Sequence, residues 1–317
     1  MWITSSLSTA KTPTLAALGN FDGIHLGHQR VIEPIFHPAD LRLRSAADFL
    51  WPTVVTFDPH PQEFFSGQRR TLLTPLPEKA TYLEALGVKQ LVLLPFDQSL
   101  ANLTPEQFVE QILKQQLQAR LVSVGQNFRF GYKRSGTTED LKTIATQSHI
   151  EVHLASLYTH EGDRISSSAI RQALAEGQPQ QASALLGRPY ALMGEIVSGQ
   201  QLGRTLGFPT ANLSLPPEKF LPRKGVYSVW VEGVRGESRS LPGVMNLGDR
   251  PTVSGTQLTV EVHLLDWSGD LYGQTLTVHL SQFLRPEQRF NSLDELKAQI
   301  QTDCEQARVQ LTATSKG

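Results

Sequence analysis

The sequence predicts an α/β chain in two parts: a parallel sheet flanked by helices, then a small antiparallel β-barrel followed by one terminal helix. Three observations predict it. From residue 15 to about residue 156, short apolar runs alternate with helical patterns, the rhythm of parallel strands joined by crossover helices. Beyond residue 187 the texture becomes strand-rich with turn glycines, and several short strands within ~90 residues favour a closed barrel. Between the two, a helical pattern at 179–186 stops at Gly187-Arg188-Pro189-Tyr190. The domain boundary is therefore expected near 186, giving residues 1–186 and 187–317.

In the first part, strands are predicted at 15–18, 53–57, 90–94, 121–124 and 150–154. A helix at 77–86 opens on Pro77 and stops at Gly87, and Thr104-Pro105 supplies a cap and first turn for a helix through 117. A helix after His28 is broken early by Pro34, with Pro38 following, so residues 34–52 have no assigned organisation. In the second part, strands are predicted at 192–197, 226–231, 241–246, 258–265 and 274–280, and a helix at 292–311 that begins with the capping-box sequence Ser292-Leu293-Asp294-Glu295.

Composition narrows the function classes. A chain of 317 residues is long enough for two cores. With 29 Lys and Arg against 30 Asp and Glu, the formal charge is -1, so no general basic field exists to hold nucleic acid or an anionic membrane. Small-molecule partners are expected. Cys304 is the only cysteine, which excludes an internal disulfide and a multi-cysteine zinc site and suits a reducing compartment, the cytoplasm by default. Residues 1–10 lack the features of a secretory signal, and no apolar run approaches the ~20 residues that span a membrane.

Open α/β sheets bind ligands beyond the carboxyl ends of their strands, and the loops there are unusual. After the first strand comes the stretch from Leu18 to His28. Gly19, Gly23 and Gly27 allow a sharp turn and close approach to a ligand, and a helix opening near Gly27 would aim free N–H groups at an anion. His25 and His28, three residues apart, would share one side of the first helical turn and donate to phosphoryl oxygens. A plain glycine turn with two backbone-bonded histidines also fits these residues. After the second strand, Asp58-Pro59-His60-Pro61 is either a rigid turn or a stiff loop aiming His60 at a substrate. Residues 125–136 combine glycines, three aromatics and three cations; stacking on a flat ring system and a solvated basic loop over core aromatics are both consistent with them. In Arg164-Ile165-Ser166-Ser167-Ser168-Ala169-Ile170-Arg171, capping of a helix start alone explains the serines, whereas Arg164 and Arg171 bracketing them would add two cations for a pyrophosphate at that anion-binding end.

In the second part, the stretch from Gly203 and Arg204 to Asn212 lacks the lysine and the glycine spacing of a Walker loop. It reads either as an ordinary loop with a proline turn or as a site where Thr210 and Asn212 offer hard oxygens to Mg²⁺. Alternation in Leu258-Thr259-Val260-Glu261-Val262-His263-Leu264 sets Glu261 with Thr259 and His263 on the face opposite the apolar row. A strand glutamate there faces solvent or a ligand.

The residues from Asn20 to His28 resemble the signature of the adenylyltransferase half of bacterial bifunctional riboflavin kinase/FAD synthetases. The 164–171 pattern is similar to that family's, which usually has Thr where Ser168 stands. Residues 207–212 look like the nucleotide and metal signature of its kinase module; further matches are Gly225-Val226-Tyr227, residues 246–252, and the stretch from Leu284 to Phe290. The resemblance implies a Rossmann-like nucleotidyltransferase domain over 1–186 and a riboflavin kinase barrel over 187–317, acting on riboflavin, FMN, FAD and ATP with Mg²⁺. It implies His25, His28, Asn20, Gly23, Arg164, Ser167, Ser168 and Arg171 at ATP and its phosphates in adenylyl transfer, and His60 and Asn127 at the flavin. For the kinase it implies Glu261 as catalytic base, Gly203, Arg204 and Thr210 at ATP, Thr210 and Asn212 at the metal, and Arg285, Glu287 and Phe290 near the flavin. Two other readings remain: another nucleotidyltransferase with an appended barrel, or a flavin-binding regulator without turnover.

Overall fold

The computed structural model describes residues 1–37, 49–156, 159–160, 163–198, 207–252 and 255–314. The chain divides into two compact units, Met1–Ser167 and Ser168–Gly317. The helices at 167–186, expected to close the first domain, fall almost entirely in the second unit.

The first unit holds six parallel strands: β1 Trp2–Thr4, β2 Thr14–Leu18, β3 Trp51–Asp58, β4 Gln90–Pro95, β5 Ala119–Gly125 and β6 Glu151–Ala155, in the order β1-β4-β3-β2-β5-β6. Five were expected; the edge strand β1 was not. Every residue of β2 is buried. Its side chains alternate between two cores, Ala16 and Leu18 on one face and Leu15 and Ala17 on the other, as a strand covered on both faces requires. Because β2 pairs with β3 on one side and β5 on the other, its carboxyl end sits where the strand order reverses, the crevice that open sheets use for ligands.

Helix α1 is Leu26–Ile32, and a single 3₁₀ turn at Glu33–Ile35 contains Pro34, so the helix stops where the missing N–H dictates. Residues 38–48, most of the unassigned 34–52, lie outside the described residues. Next come α2 Pro61–Ser66, α3 Leu76–Ala85, α4 Gln98–Ala101, and α5, which opens at Pro105–Gln107 and continues as a π-helix over Phe108–Gln116. Thr104 and Gln107 cap each other, Gln107 N–H donating to Thr104 Oγ1 at 3.2 Å and Thr104 N–H to Gln107 Oε1 at 2.9 Å. After α6 Thr138–Gln147, a two-residue hairpin pairs β7 Thr159–His160 with β8 Asp163–Arg164.

The second unit contains α7, which starts at the junction (Ser167–Ala175), α8 Pro179–Leu186, and a closed barrel ordered β10-β13-β12-β11-β14-β9. Its strands are β9 Ala191–Val197, β10 Ala211–Ser214, β11 Gly225–Glu232, β12 Leu241–Thr252, β13 Gly255–Leu264 and β14 Thr275–Arg285. Five were expected; β10 lies where a loop was read. The barrel closes through β9 and β10, and the approach is tight: a Cβ on Gly194 would sit 2.1 Å from the Ser214 carbonyl oxygen. Tyr227, Val229 and Val231 are fully buried on the inward face of β11. The outward Val226, with Val244 and Leu265, packs against Cys304, Ala307 and Leu311 of the terminal helix α9, Leu293–Thr314. Glu295 N–H donates to Ser292 Oγ at 3.1 Å, while the Glu295 carboxylate accepts from Asn291 rather than Ser292, at 2.9 Å.

Candidate functional sites

The turn after β2 is a strained, heavily tied loop. Phe21 (φ 48°), Gly23 (φ 93°) and Ile24 (φ 43°) all adopt left-handed backbone, a conformation that costs non-glycine residues and survives where neighbours over-determine it. The neighbours here are specific. Asp22 Oδ1 accepts from Leu73 N–H at 2.8 Å and Thr74 N–H at 3.3 Å, and Gly23 N–H donates to Thr74 Oγ1 at 2.9 Å. Thr56 Oγ1 and Lys79 Nζ both donate to the Asn20 carbonyl, at 3.1 and 3.0 Å. Ser167, the last residue of the first unit, donates from Oγ to the Asp22 carbonyl at 2.8 Å.

Only Gly23 of the three glycines needs its positive φ. Gly19 and Gly27 instead make room for rings of the loop itself: a Cβ would lie 3.2 Å from the Phe21 ring and 3.1 Å from the His25 ring, respectively. His25 is not in the helix but caps it, its Nδ1 accepting from His28 N–H at 3.2 Å. The two imidazoles nevertheless share one side, stacked with centroids 3.6 Å apart and 14° from parallel, and Phe21 meets His28 edge-on at 5.4 Å. His25 is buried and His28 half-buried.

His60 caps α2 through Nδ1, which accepts from Gln62 N–H at 3.1 Å. Burial and the nearby Arg70 guanidinium hold its imidazole below the usual histidine range. Asn127 is exposed in the turn after β5. Of the aromatics in that loop, Phe130 is buried and Phe128 stacks on it at 5.8 Å, so both belong to the core, whereas Tyr132 is exposed with Lys133 over its ring. Ser168 is exposed, and Arg171 lies over the Phe220 ring at 5.4 Å in the second unit. The Arg164 side chain, Gly203 and Arg204 lie outside the described residues.

On the barrel, β13 carries Glu261 outward, between Asn212 of β10 and Asn246 of β12, its register partners. Thr210 Oγ1 lies 3.5 Å from Glu261 Oε2. Two residues along the same face, His263 Nδ1 bonds the Pro209 carbonyl at 2.8 Å and its ring meets Phe208 edge-on at 5.7 Å, which lays residues 208–212 beside Glu261. Among the described residues no group of three or more His, Cys, Asp or Glu is placed to hold a metal. Thr210 and Asn212, next to Glu261, carry hard oxygens of the kind Mg²⁺ prefers when substrate phosphates and water complete its shell.

Arg285 makes a bidentate ion pair with the buried Asp303 of α9, Nε to Oδ1 at 2.9 Å and Nη2 to Oδ2 at 2.8 Å, while its guanidinium lies 5.8 Å from the Phe290 ring. Glu287 reaches back to β12, where its Oε1 accepts from Asp249 N–H at 3.3 Å. Asn246 lies in the matched stretch 246–252 but becomes Glu261's neighbour only through strand register; sequence reasoning missed Lys79, a lysine buried on the same face of α3 as Leu83. The signal for Lys79 was its spacing, four residues before a core leucine.

No described helix is long and apolar enough to cross a membrane. The FAD synthetase family model matches residues 7–169 and the riboflavin kinase model residues 186–311. A bifunctional riboflavin kinase/FMN adenylyltransferase of Escherichia coli is 42% identical over 287 residues, 90% of this chain and 89% of that protein. One from Haemophilus influenzae is 40% identical over 92% of both, and one from Bacillus subtilis 35% identical over 93% of this chain and 91% of that one. A Streptococcus pneumoniae structure named as a macrolide-efflux protein matches with a TM-score of 0.83 and 30% identity, covering 96% of this chain and 98% of that one. With two family models matched in order and relatives of this identity aligned along nearly the whole length, the chain belongs to the bifunctional riboflavin kinase/FMN adenylyltransferase family.

Proposed function

We propose that the family's two reactions are divided between the two units: the barrel phosphorylates riboflavin to FMN, and the parallel-sheet unit joins FMN to AMP to make FAD. The proximity of Thr210 Oγ1 and Glu261 Oε2, 3.5 Å apart on the outer face of the barrel, carries the assignment. In the kinase step the terminal hydroxyl oxygen of riboflavin attacks the γ-phosphorus of ATP, Glu261 takes the hydroxyl proton, and the bond to ADP breaks. Thr210 and Asn212 would hold Mg²⁺, which neutralises phosphate charge when bound. Gly203 and Arg204 serve ATP, and Glu287 and Phe290 the flavin. Arg285 acts on the flavin through the 286–290 loop that its ion pair with Asp303 anchors.

In the second step a phosphate oxygen of FMN attacks the α-phosphorus of ATP and pyrophosphate leaves. The chain's work there is orientation and charge stabilisation. His25 and His28 donate to the phosphoryl oxygens, Asn20 and Gly23 shape the turn beneath them, and Arg164 and Ser167 hold the departing pyrophosphate. His60 and Asn127 contact FMN. In this reading the protein works in the cytoplasm, with ATP and flavins as its partners.

Chromatography of flavins formed by the purified protein with riboflavin and Mg-ATP tests this division. Glu261→Gln is expected to stop FMN formation while added FMN is still adenylylated, and His28→Ala to accumulate FMN with little FAD. Equal loss of both activities in either variant contradicts the division. Nucleotidyl transfer with CTP alone would establish a different transferase, and tight flavin binding without product a regulator.

A further inference from the structure

We propose that Lys79 is a positioning residue for adenylyl transfer, holding the Asn20 carbonyl so that the turn from Asn20 to His28 keeps its working shape. The inference rests on the assignment of that turn to adenylyl transfer. Lys79 is buried, where lysine is rare unless its charge has a task. Its ammonium donates 3.0 Å to the Asn20 carbonyl; burial holds it below the ordinary lysine range, and the Asp22 and Asp58 carboxylates oppose that fall.

The place of contact matters. Asn20 immediately precedes Phe21, the first of the left-handed residues, and the stacked histidines follow Ile24, the last. Asp22 and Gly23 are fixed by the backbone and hydroxyl of Leu73 and Thr74, and the Asn20 end by Thr56 and Lys79. Loss of the ammonium removes one of the two donors to the Asn20 carbonyl and the buried positive charge beside Asp22. The strained turn would then relax, displacing the imidazoles by fractions of an ångström, which lowers turnover more than ground-state binding.

The test compares Lys79→Met, Lys79→Arg and His28→Ala with the unaltered protein, measuring riboflavin phosphorylation and FMN adenylylation in the same preparations. Lys79→Met is expected to keep riboflavin kinase activity within twofold and to lose at least tenfold in kcat for FAD formation, with the KM values for FMN and ATP within threefold. Lys79→Arg is expected to restore kcat to within about fivefold. The proposal is overturned if Lys79→Met adenylylates at the normal rate, if both activities fall together, if the whole loss lies in KM, or if arginine restores nothing. Undiminished FAD formation by His28→Ala would instead sink the assignment of the turn itself, which separates the two failures.

Discussion

His25 and His28 are stacked in parallel, ring centroids 3.6 Å apart, although only His28 is helical. His25 does two things at once: its Nδ1 caps α1 by accepting the His28 N–H, and its ring packs face to face on the His28 imidazole. The two roles separate by substitution. Asparagine keeps an acceptor at the cap, so His25→Asn should melt within a few degrees of the unaltered protein yet form FAD at least 100-fold more slowly, a loss of roughly 2.7 kcal/mol of transition-state stabilisation. His25→Ala should show the same catalytic loss with about 1 kcal/mol of stability lost as well. Thermal denaturation together with FMN adenylylation rates measures both.

Gly248 faces the Glu287 carboxylate so closely that a Cβ there would meet Oε1 at 2.0 Å. Gly248→Ala must push Glu287 aside and break its bond to Asp249 N–H. Glu287 is exposed, so the fold should tolerate the change. The riboflavin KM is expected to rise roughly three- to tenfold, about one hydrogen bond's worth of binding, with FMN adenylylation unaltered. Steady-state kinetics on riboflavin and on FMN decide it.

The side chains of Arg285 and Asp303 are 14% and 3% exposed, which makes their ion pair an interior one. Removing either partner strands the other, a loss of about 3 to 5 kcal/mol. Arg285→Met and Asp303→Asn are therefore expected to lower the denaturant midpoint of the barrel unit by similar amounts, with Gln299, which donates to Asp303 Oδ1 at 2.9 Å, softening the arginine loss. Because the pair anchors the 286–290 loop, the riboflavin KM should rise to a similar extent in both variants. A riboflavin KM raised by the arginine variant alone would instead put the guanidinium on the flavin.

Much of this was legible in the sequence, for identifiable reasons. The strands of the parallel sheet are continuous apolar runs because they are covered on both faces, and five of six could be read; β1 is three residues long with two of them exposed, too short to carry a pattern. The same shortness hid β10, whose Asn212 and Ser214 read as loop chemistry. Glu261 could be placed on the outer face by alternation alone, and the structure puts it there. Its flanking asparagines could not, because register across strands is set by the whole barrel. The turn after β2 was read through its glycines, yet the left-handed residues include Phe21 and Ile24. L-residues rarely adopt that backbone and give no local signal of it; the ties from Leu73, Thr74 and Lys79 that hold the turn come from 50 or more positions away in the chain.

Cys304 closes the contact between α9 and the barrel, packed among Val226, Val244 and Leu265. Burial pushes its thiol up from the ordinary 9.0 to about 11, the Arg308 guanidinium opposing and Asp303 reinforcing the rise. A raised acid is one the fold keeps protonated. Below pH 9 the thiol is neutral in both folded and unfolded chains and its burial stabilises fully; between pH 9 and 11 the unfolded chain ionises first and that stability drains away, by at most roughly 2 to 3 kcal/mol. The native protein is therefore expected to resist thiol reagents at pH 8 and to react once unfolded by denaturant. Cys304→Val should flatten this part of the stability loss between pH 9 and 11, measured by denaturant melts at each pH. An unchanged slope would show that the thiol ionises as freely in the native protein as in the unfolded one.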